Sequence, residues 1–144
     1  GVEMDGDLRA LREYAELGAK ATGTPLPFNY PVFGRDAFRT GTGVHAAAVI
    51  KALNKGDEWL ADRIYSGVPA ADFGLEQVIE VGHMGGRSNV IYWLKSRGID
   101  PEDDLVAAVF DEAKKGDRVL TDDEVFAVVD AYRGQPGSGA SASV

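Results

Sequence analysis

A histidine stands directly after a segment of threonines and glycines, in the stretch Phe38-Arg39-Thr40-Gly41-Thr42-Gly43-Val44-His45-Ala46. It is one of only two histidines, and imidazole is the side chain best suited to proton transfer near neutral pH. Glycines 41 and 43 permit a close approach of a ligand or partner to the backbone. His45 is therefore a candidate for acid–base chemistry. Taken alone, the pattern favours the alternative of a histidine at a helix start whose ring is satisfied locally.

A second group of polar residues follows a pair of glycines, in His83-Met84-Gly85-Gly86-Arg87-Ser88-Asn89. The free N–H groups and the dipole of a helix beginning here would suit an anion. The segment is too short to match a phosphate-binding loop. The pattern therefore favours a tight turn capped by Ser88, with Arg87 bonded to a backbone carbonyl or an acid.

The acidic residues predict no metal site built by this chain alone. Asp57, Glu58 and Asp62, and the acids of 102–104, have no histidine at ligand spacing, and no loop alternates oxygen ligands around a glycine. The acids of 122–124 are explained by helix capping. The sequence also has no nucleophile elbow, Walker loop or dinucleotide-binding fingerprint. One proton-transfer residue without partner groups indicates part of a site.

Composition restricts the partners. The net charge is −8, and residues 100–130 hold eleven acids against three bases, while the rest of the chain is balanced. This distribution predicts a solvated acidic helical face and excludes nucleic acid, which needs a basic surface. The absence of cysteine excludes disulfides and thiolate metal sites. It also fits a reducing environment, so we expect a cytoplasmic location. No apolar segment reaches the length of a membrane span, so we expect no membrane partner.

Periodicity predicts a mainly α-helical chain with short extended connections. Asp5 or Asp7 is expected to cap a first helix that ends at Gly23, and Asp100 to cap a later helix with Pro101 at its first position. Thr121 to Glu124 forms a capping box. The predicted helices cover 5–22, 44–53, 57–65, 88–97, 101–115 and 121–132, with a proline-rich extended path at 24–31 and a strand or linker at 77–81.

The ordered motifs resemble a known family over residues 7–130. They are Val32-Phe33-Gly34-Arg35-Asp36-Ala37-Phe38, Thr42-Gly43-Val44-His45, Tyr65, Pro69-x-x-Asp72-x-Gly74-Leu75, and Gly82-His83-x-Gly85-Gly86-Arg87. The sequence resembles the region after the barrel in 2-isopropylmalate and homocitrate synthases, of the DRE-TIM metallolyase superfamily. That family's catalytic half is a TIM barrel holding a divalent cation (Mg, Mn or Zn). At 144 residues, this chain is too short for a complete barrel, which needs about 250 residues.

The resemblance implies four segments. Residues 1–34 correspond to the last barrel helix and a proline-rich connection, 35–76 to a lid subdomain, 77–133 to a helical subdomain, and 134–144 to a disordered tail. His45 matches the family's proton-transfer histidine and Tyr65 its active-site tyrosine, so the resemblance reverses the preference at His45 and assigns both as catalytic. Thr42 and Arg87 are expected to bind substrate. His83 is expected to be structural, because Met84-Gly85-Gly86 departs from the family pattern.

These matches predict the lid and dimerisation portion of a 2-isopropylmalate synthase-like acyltransferase, which condenses acetyl-CoA with a 2-oxo acid. His45 would act in trans on a barrel-bearing domain or chain, in a homodimer or hetero-oligomer, and the chain would be inactive alone. The cation would lie in the barrel, and this chain alone would bind no cofactor. The alternatives are a homocitrate synthase-type portion and a non-catalytic helical association module, in which His45 would be buried. A standalone enzyme is disfavoured, since no second catalytic group is visible.

Overall fold

The computed structural model describes residues 6–134, which form six α-helices, one 3₁₀ helix and one pair of two-residue strands. The mainly α-helical class with short extended connections is confirmed, and these residues contain no complete barrel. The predicted tail begins at Gly134, and its remaining residues, 135–144, lie outside the described part of the chain. The helices are α1 (Ala10–Thr22), α2 (Gly43–Asn54), α3 (Glu58–Arg63), α4 (Arg87–Ser96), α5 (Asp103–Lys115) and α6 (Asp122–Arg133); the 3₁₀ helix is Ala71–Phe73, and the strands are β1 (Arg39–Thr40) and β2 (Val78–Ile79).

The chain divides into two compact units, described separately below. Within residues 6–134, the first unit takes 6–39 and 51–78, and the second takes 40–50 and 79–134. The chain passes from one unit to the other at each of the two strands and once within α2. The last turn of α2 therefore belongs to the first unit.

The core of the second unit is built by α4, α5 and α6. Their apolar residues recur at helical spacing and bury one face of each helix. The Trp93 ring meets Phe126 edge to face at 5.1 Å between centroids, and its indole N–H donates to Asp122 at 3.0 Å. The buried cluster comprises Val81, Val90, Trp93, Leu94, Ile99, Leu105, Val106, Val109, Ala113, Val125 and Val129.

The two last helices show which capping predictions hold. The capping box of α6 is confirmed: the Thr121 hydroxyl accepts the Glu124 N–H at 3.3 Å, and the Glu124 carboxylate accepts the Thr121 N–H at 2.8 Å. The predicted start of α5 is wrong, because the helix begins at Asp103 and neither Asp100 nor Pro101 caps or opens it. The Glu102 N–H bonds to the carbonyl of Asp100, and the extended ψ of Glu102, 143°, starts the helix two residues later than predicted.

The Arg118–Glu124 ion pair predicts an acid-dependent contribution to stability. Hydrogen bonds from Arg118 and from the Thr121 backbone lower the pKa of Glu124 from 4.5 to about 2. A carboxylate whose pKa is lower in the folded state stabilises the fold above its unfolded pKa, and loses that effect as pH falls through the folded value. Glu124→Gln keeps the capping geometry, so we expect a lower Tm at pH 7 and a difference from wild type that closes between about pH 4.5 and pH 2.

Thermal melts of both proteins across this pH range measure the effect. Asp123→Asn is the control, since Asp123 lies in the same helical turn and makes no ion pair among the described residues. A Tm difference for Glu124→Gln that stays constant down to pH 2 would contradict the role of the ion pair.

In the first unit, α1 ends as predicted at Gly23, whose φ is 68°. Its predicted start is wrong: the helix begins at Ala10, while Asp5 lies outside the described residues. Asp7 does not cap the helix, because its carboxylate accepts both the backbone N–H and the Nε–H of Arg9, at 3.1 and 2.9 Å. No residue of α1 is buried in this chain.

The segment between α1 and β1 is extended and turning, as its prolines predict. Val32 and Phe38 take positive φ values of 67° and 60°, a region that favours glycine. Gly34 lies between them against the 28–30 backbone, where an added Cβ would fall 2.4 Å from the Phe28 carbonyl oxygen. The 33–37 segment therefore combines close backbone packing at Gly34 with a strained residue on either side, Val32 and Phe38.

Candidate functional site

His45 lies in the first turn of α2 and is exposed. The next residue, Ala46, is fully buried, and Val49 is 1% exposed, so these two residues fix the inner face of the helix. Val44 and His45 precede them on the outer side, and Val44 is 75% exposed. The imidazole is therefore presented at the surface of this chain, on a packed helix.

The start of α2 is tied to the turn formed by residues 82–86, called here the 82–86 turn. The Gly43 N–H donates to the Met84 carbonyl at 2.9 Å. A Cβ at Gly43 would lie 3.0 Å from the Gly86 nitrogen, which is tighter than ordinary van der Waals contact. The glycine two residues before His45 is thus required for the close approach of two backbone segments.

Two side chains outside the predicted site hold the 82–86 turn in place. Buried Asn89 accepts the Gly86 N–H at 3.0 Å and donates to the Glu80 carbonyl at 2.9 Å. Lys114, in the last turn of α5, donates to the carbonyls of His83 and Gly85 at 2.5 and 2.9 Å. The prediction that Ser88 caps this turn is wrong, because the longer side chain of Asn89 satisfies the Gly86 N–H. An asparagine three residues into a helix is itself a capping pattern that could have been recognised.

Thr42 directly precedes α2, and Arg87 is the first residue of α4. The hydrogen bond from the Gly43 N–H to the Met84 carbonyl joins the two segments that carry these residues. Thr42 is exposed, and its carbonyl accepts the Ala46 N–H at 3.0 Å, which is the first bond of α2. The Arg87 guanidinium donates to the Asp103 carbonyl at 3.3 Å and lies 4.0 Å from the Asp103 carboxylate. These are the carbonyl and acid contacts that the structural interpretation of Arg87 predicts.

The second histidine, His83, lies in the 82–86 turn and is half-buried. Its backbone N–H donates to the Arg118 carbonyl at 3.4 Å, while its Nδ1 is buried without a hydrogen-bond partner.

Tyr65 belongs to the first unit, and the residue is 63% exposed. Its φ of 59° is unusual for an aromatic residue, and such conformations cluster at functional sites. The turn that carries it is braced on both sides: Gln77 donates to the Ser66 hydroxyl at 2.9 Å, and buried Asp62 accepts the N–H groups of Ala70 and Ala71 at 2.8 and 3.0 Å. The tyrosine is therefore an exposed ring on a rigid turn.

Within residues 6–134, no three histidine or acidic side chains lie together as a metal site requires. The divalent cation implied by the resemblance therefore has no fitting ligand set in this part of the chain. Among the same residues, no helix has both the length and the apolar character needed to cross a bilayer.

No protein-family model matches the chain. It is 33% identical to a homocitrate synthase of Pyrococcus horikoshii over 67% of this chain and 24% of that protein. It is 32% identical to an (R)-citramalate synthase of Aquifex aeolicus, covering 76% and 19%, and 31% identical to a probable 2-isopropylmalate synthase of Ignicoccus hospitalis, covering 85% and 29%.

The chain belongs to the family of 2-isopropylmalate, homocitrate and citramalate synthases. The ordered motifs predict the first two of these enzymes, and the comparison adds the third. It spans less than a third of the length of these three relatives.

Proposed function

We propose that this chain is the lid portion of an acyltransferase that condenses acetyl-CoA with a 2-oxo acid, and that His45 transfers a proton in the active site of a barrel-bearing domain or chain. The observation that carries the proposal is the placement of His45: an exposed imidazole at the start of α2, with its backbone entry fixed against the 82–86 turn. A positioned histidine of this kind suits general acid–base catalysis, which requires a defined geometry toward the reacting group.

An uncovered apolar stripe on α1 supports the presence of a large partner surface. Ala10, Tyr14, Leu17 and Ala21 recur at helical spacing, and Tyr14 and Leu17 are 76% and 65% exposed. Such a stripe on a helix without any buried residue is expected to pack against another surface. The family relation suggests the barrel as that surface, since the chain matches only about a quarter of the homocitrate synthase of Pyrococcus horikoshii.

The remaining residues have supporting roles in this proposal. Tyr65 contacts the substrate or orients the imidazole of His45 when the lid closes, and closure excludes water from the reacting centre. Thr42 and Arg87 contribute to substrate binding. The barrel holds the divalent cation, the assembled enzyme is a homodimer or hetero-oligomer, and its location is cytoplasmic.

Reconstitution tests the proposal. The chain is assayed for CoA release from acetyl-CoA, alone and after assembly with a barrel portion of the family, with 2-oxoisovalerate or 2-oxoglutarate as the acceptor. We expect turnover only in the assembled enzyme, because the proposal places the cation and the rest of the active site in the barrel. Preference for 2-oxoisovalerate supports the isopropylmalate type, and preference for 2-oxoglutarate supports the homocitrate alternative. Turnover by the chain alone would contradict the proposal.

A further inference from the structure

A cavity of about 480 Å³ lies within the first unit, between the 32–39 segment, α1 and the residues that precede β2. Its volume falls in the range of sites that bind small molecules, about 300–1,000 Å³. Arg12, Arg35 and Arg39 line it, together with a single acid, Glu76. Phe33 and Leu75 supply apolar surface in the same wall.

Guanidinium groups outnumber carboxylates in this lining. Three guanidiniums and one carboxylate line the wall, in a chain whose net charge is −8. Arginine stays protonated in proteins, so these charges cannot be relieved by loss of a proton. Arg12 is partly compensated by Glu16, at 3.0 Å across one helical turn. The guanidinium-rich lining favours an anionic ligand, because the planar fork of arginine matches the oxygens of carboxylate and phosphate groups.

Two of the arginines are held by contacts within the segment. The Arg39 Nε–H donates to the Arg35 carbonyl. The Arg35 guanidinium lies 5.7 Å from the centroid of the Phe28 ring. Side chains that are already held in place lose less conformational freedom when a ligand binds.

The backbone around the cavity is strained on both sides of the arginine-bearing segment. Val32 and Phe38 both line the cavity and both have positive φ, although neither is glycine. A β-branched residue rarely takes this conformation, and surrounding structure must hold it there. Strained positions of this kind concentrate at ligand sites, and here the strain coincides with the cavity wall.

We infer that this cavity binds a small organic oxyanion, with its carboxylate or phosphate group between Arg12, Arg35 and Arg39 and its apolar part against Phe33 and Leu75. The inference concerns binding by the chain itself, so it does not depend on the proposed lid function or on assembly with a barrel.

Backbone amide NMR of the full chain tests this inference, with inorganic phosphate and malonate as separate probes at constant ionic strength set with chloride. We expect saturable shifts at the amides of 32–39 and 74–78 with at least one probe. Saturation by phosphate alone identifies a phosphate ligand, by malonate alone a carboxylate ligand, and by both the shared oxyanion chemistry.

Arg35→Gln should lower the affinity for the saturating probe about tenfold or more, since it removes a charge-assisted hydrogen-bond donor. The matched control Arg133→Gln removes the same charge from an exposed position at the end of α6, and should change affinity less than twofold. Where Arg35→Gln does not give a folded spectrum, Arg12→Gln on α1 replaces it with the same expected direction. Shifts that do not saturate with either probe, or equal weakening by Arg133→Gln, would overturn the inference.

Discussion

Replacing His45 with alanine should lower the rate of CoA release by the assembled enzyme about 10²–10⁴-fold, the usual loss when a general acid or base is removed. The loss should appear in kcat, because the imidazole transfers a proton in the transition state and contributes little to substrate binding. The fold should persist, since His45 is exposed and its replacement leaves buried Ala46 and Val49 in place. Steady-state kinetics of the two assembled enzymes measure the effect.

The neighbouring residue supplies the control. Val44 is 75% exposed in the same helical turn, and Val44→Ala should keep the rate within about twofold if only the imidazole matters. Sedimentation of each variant separates the two functions: a change in oligomeric state at unchanged rate for His45→Ala would favour the association module. Full activity in His45→Ala would remove the catalytic assignment.

The elements that sequence predicts best are those whose ends depend on nearby residues. Gly23 ends α1 in the left-handed conformation, and Thr121 opens α6 with Glu124 three residues later. Both depend on contacts within five residues, so local chemistry suffices to recognise them. The start of α5 shows the limit of this approach, because Asp100 and Pro101 form a favourable capping sequence but are used in the turn that precedes the helix.

The parts of the site that sequence misses depend on distant residues. Lys114 reaches carbonyls about thirty positions earlier in the chain, and no local pattern indicates such a pairing. The positive φ of Val32 and of Phe38 is also unpredictable, since nothing in either residue type favours it. His45 could be selected because histidine is scarce and the motif order is specific, but the turn that holds its helix could be described only from the structure.

Replacing buried Asn89 with alanine should destabilise the second unit by about 2–4 kcal/mol, because the backbone groups of two half-buried residues lose the partner that satisfies them. The Gly86 N–H loses its acceptor, and the Glu80 carbonyl loses the donor it receives from Asn89. A small cavity adds to the cost. Urea unfolding measures the total, and hydrogen exchange of the Gly86 amide reports the local part, which should lose its protection first.

Ser88→Ala is the matched control, one residue earlier in α4. Ser88 does not cap the 82–86 turn, so its replacement should change the free energy of unfolding by less than about 0.5 kcal/mol. Because the 82–86 turn receives the Gly43 N–H, loosening it should also disturb the entry to α2 and lower the rate of the assembled enzyme with Asn89→Ala. Equal destabilisation by the two variants would mean that Asn89 does not organise the turn. A loss of stability in Asn89→Ala without any loss of rate would mean that the 82–86 turn does not position His45 for catalysis.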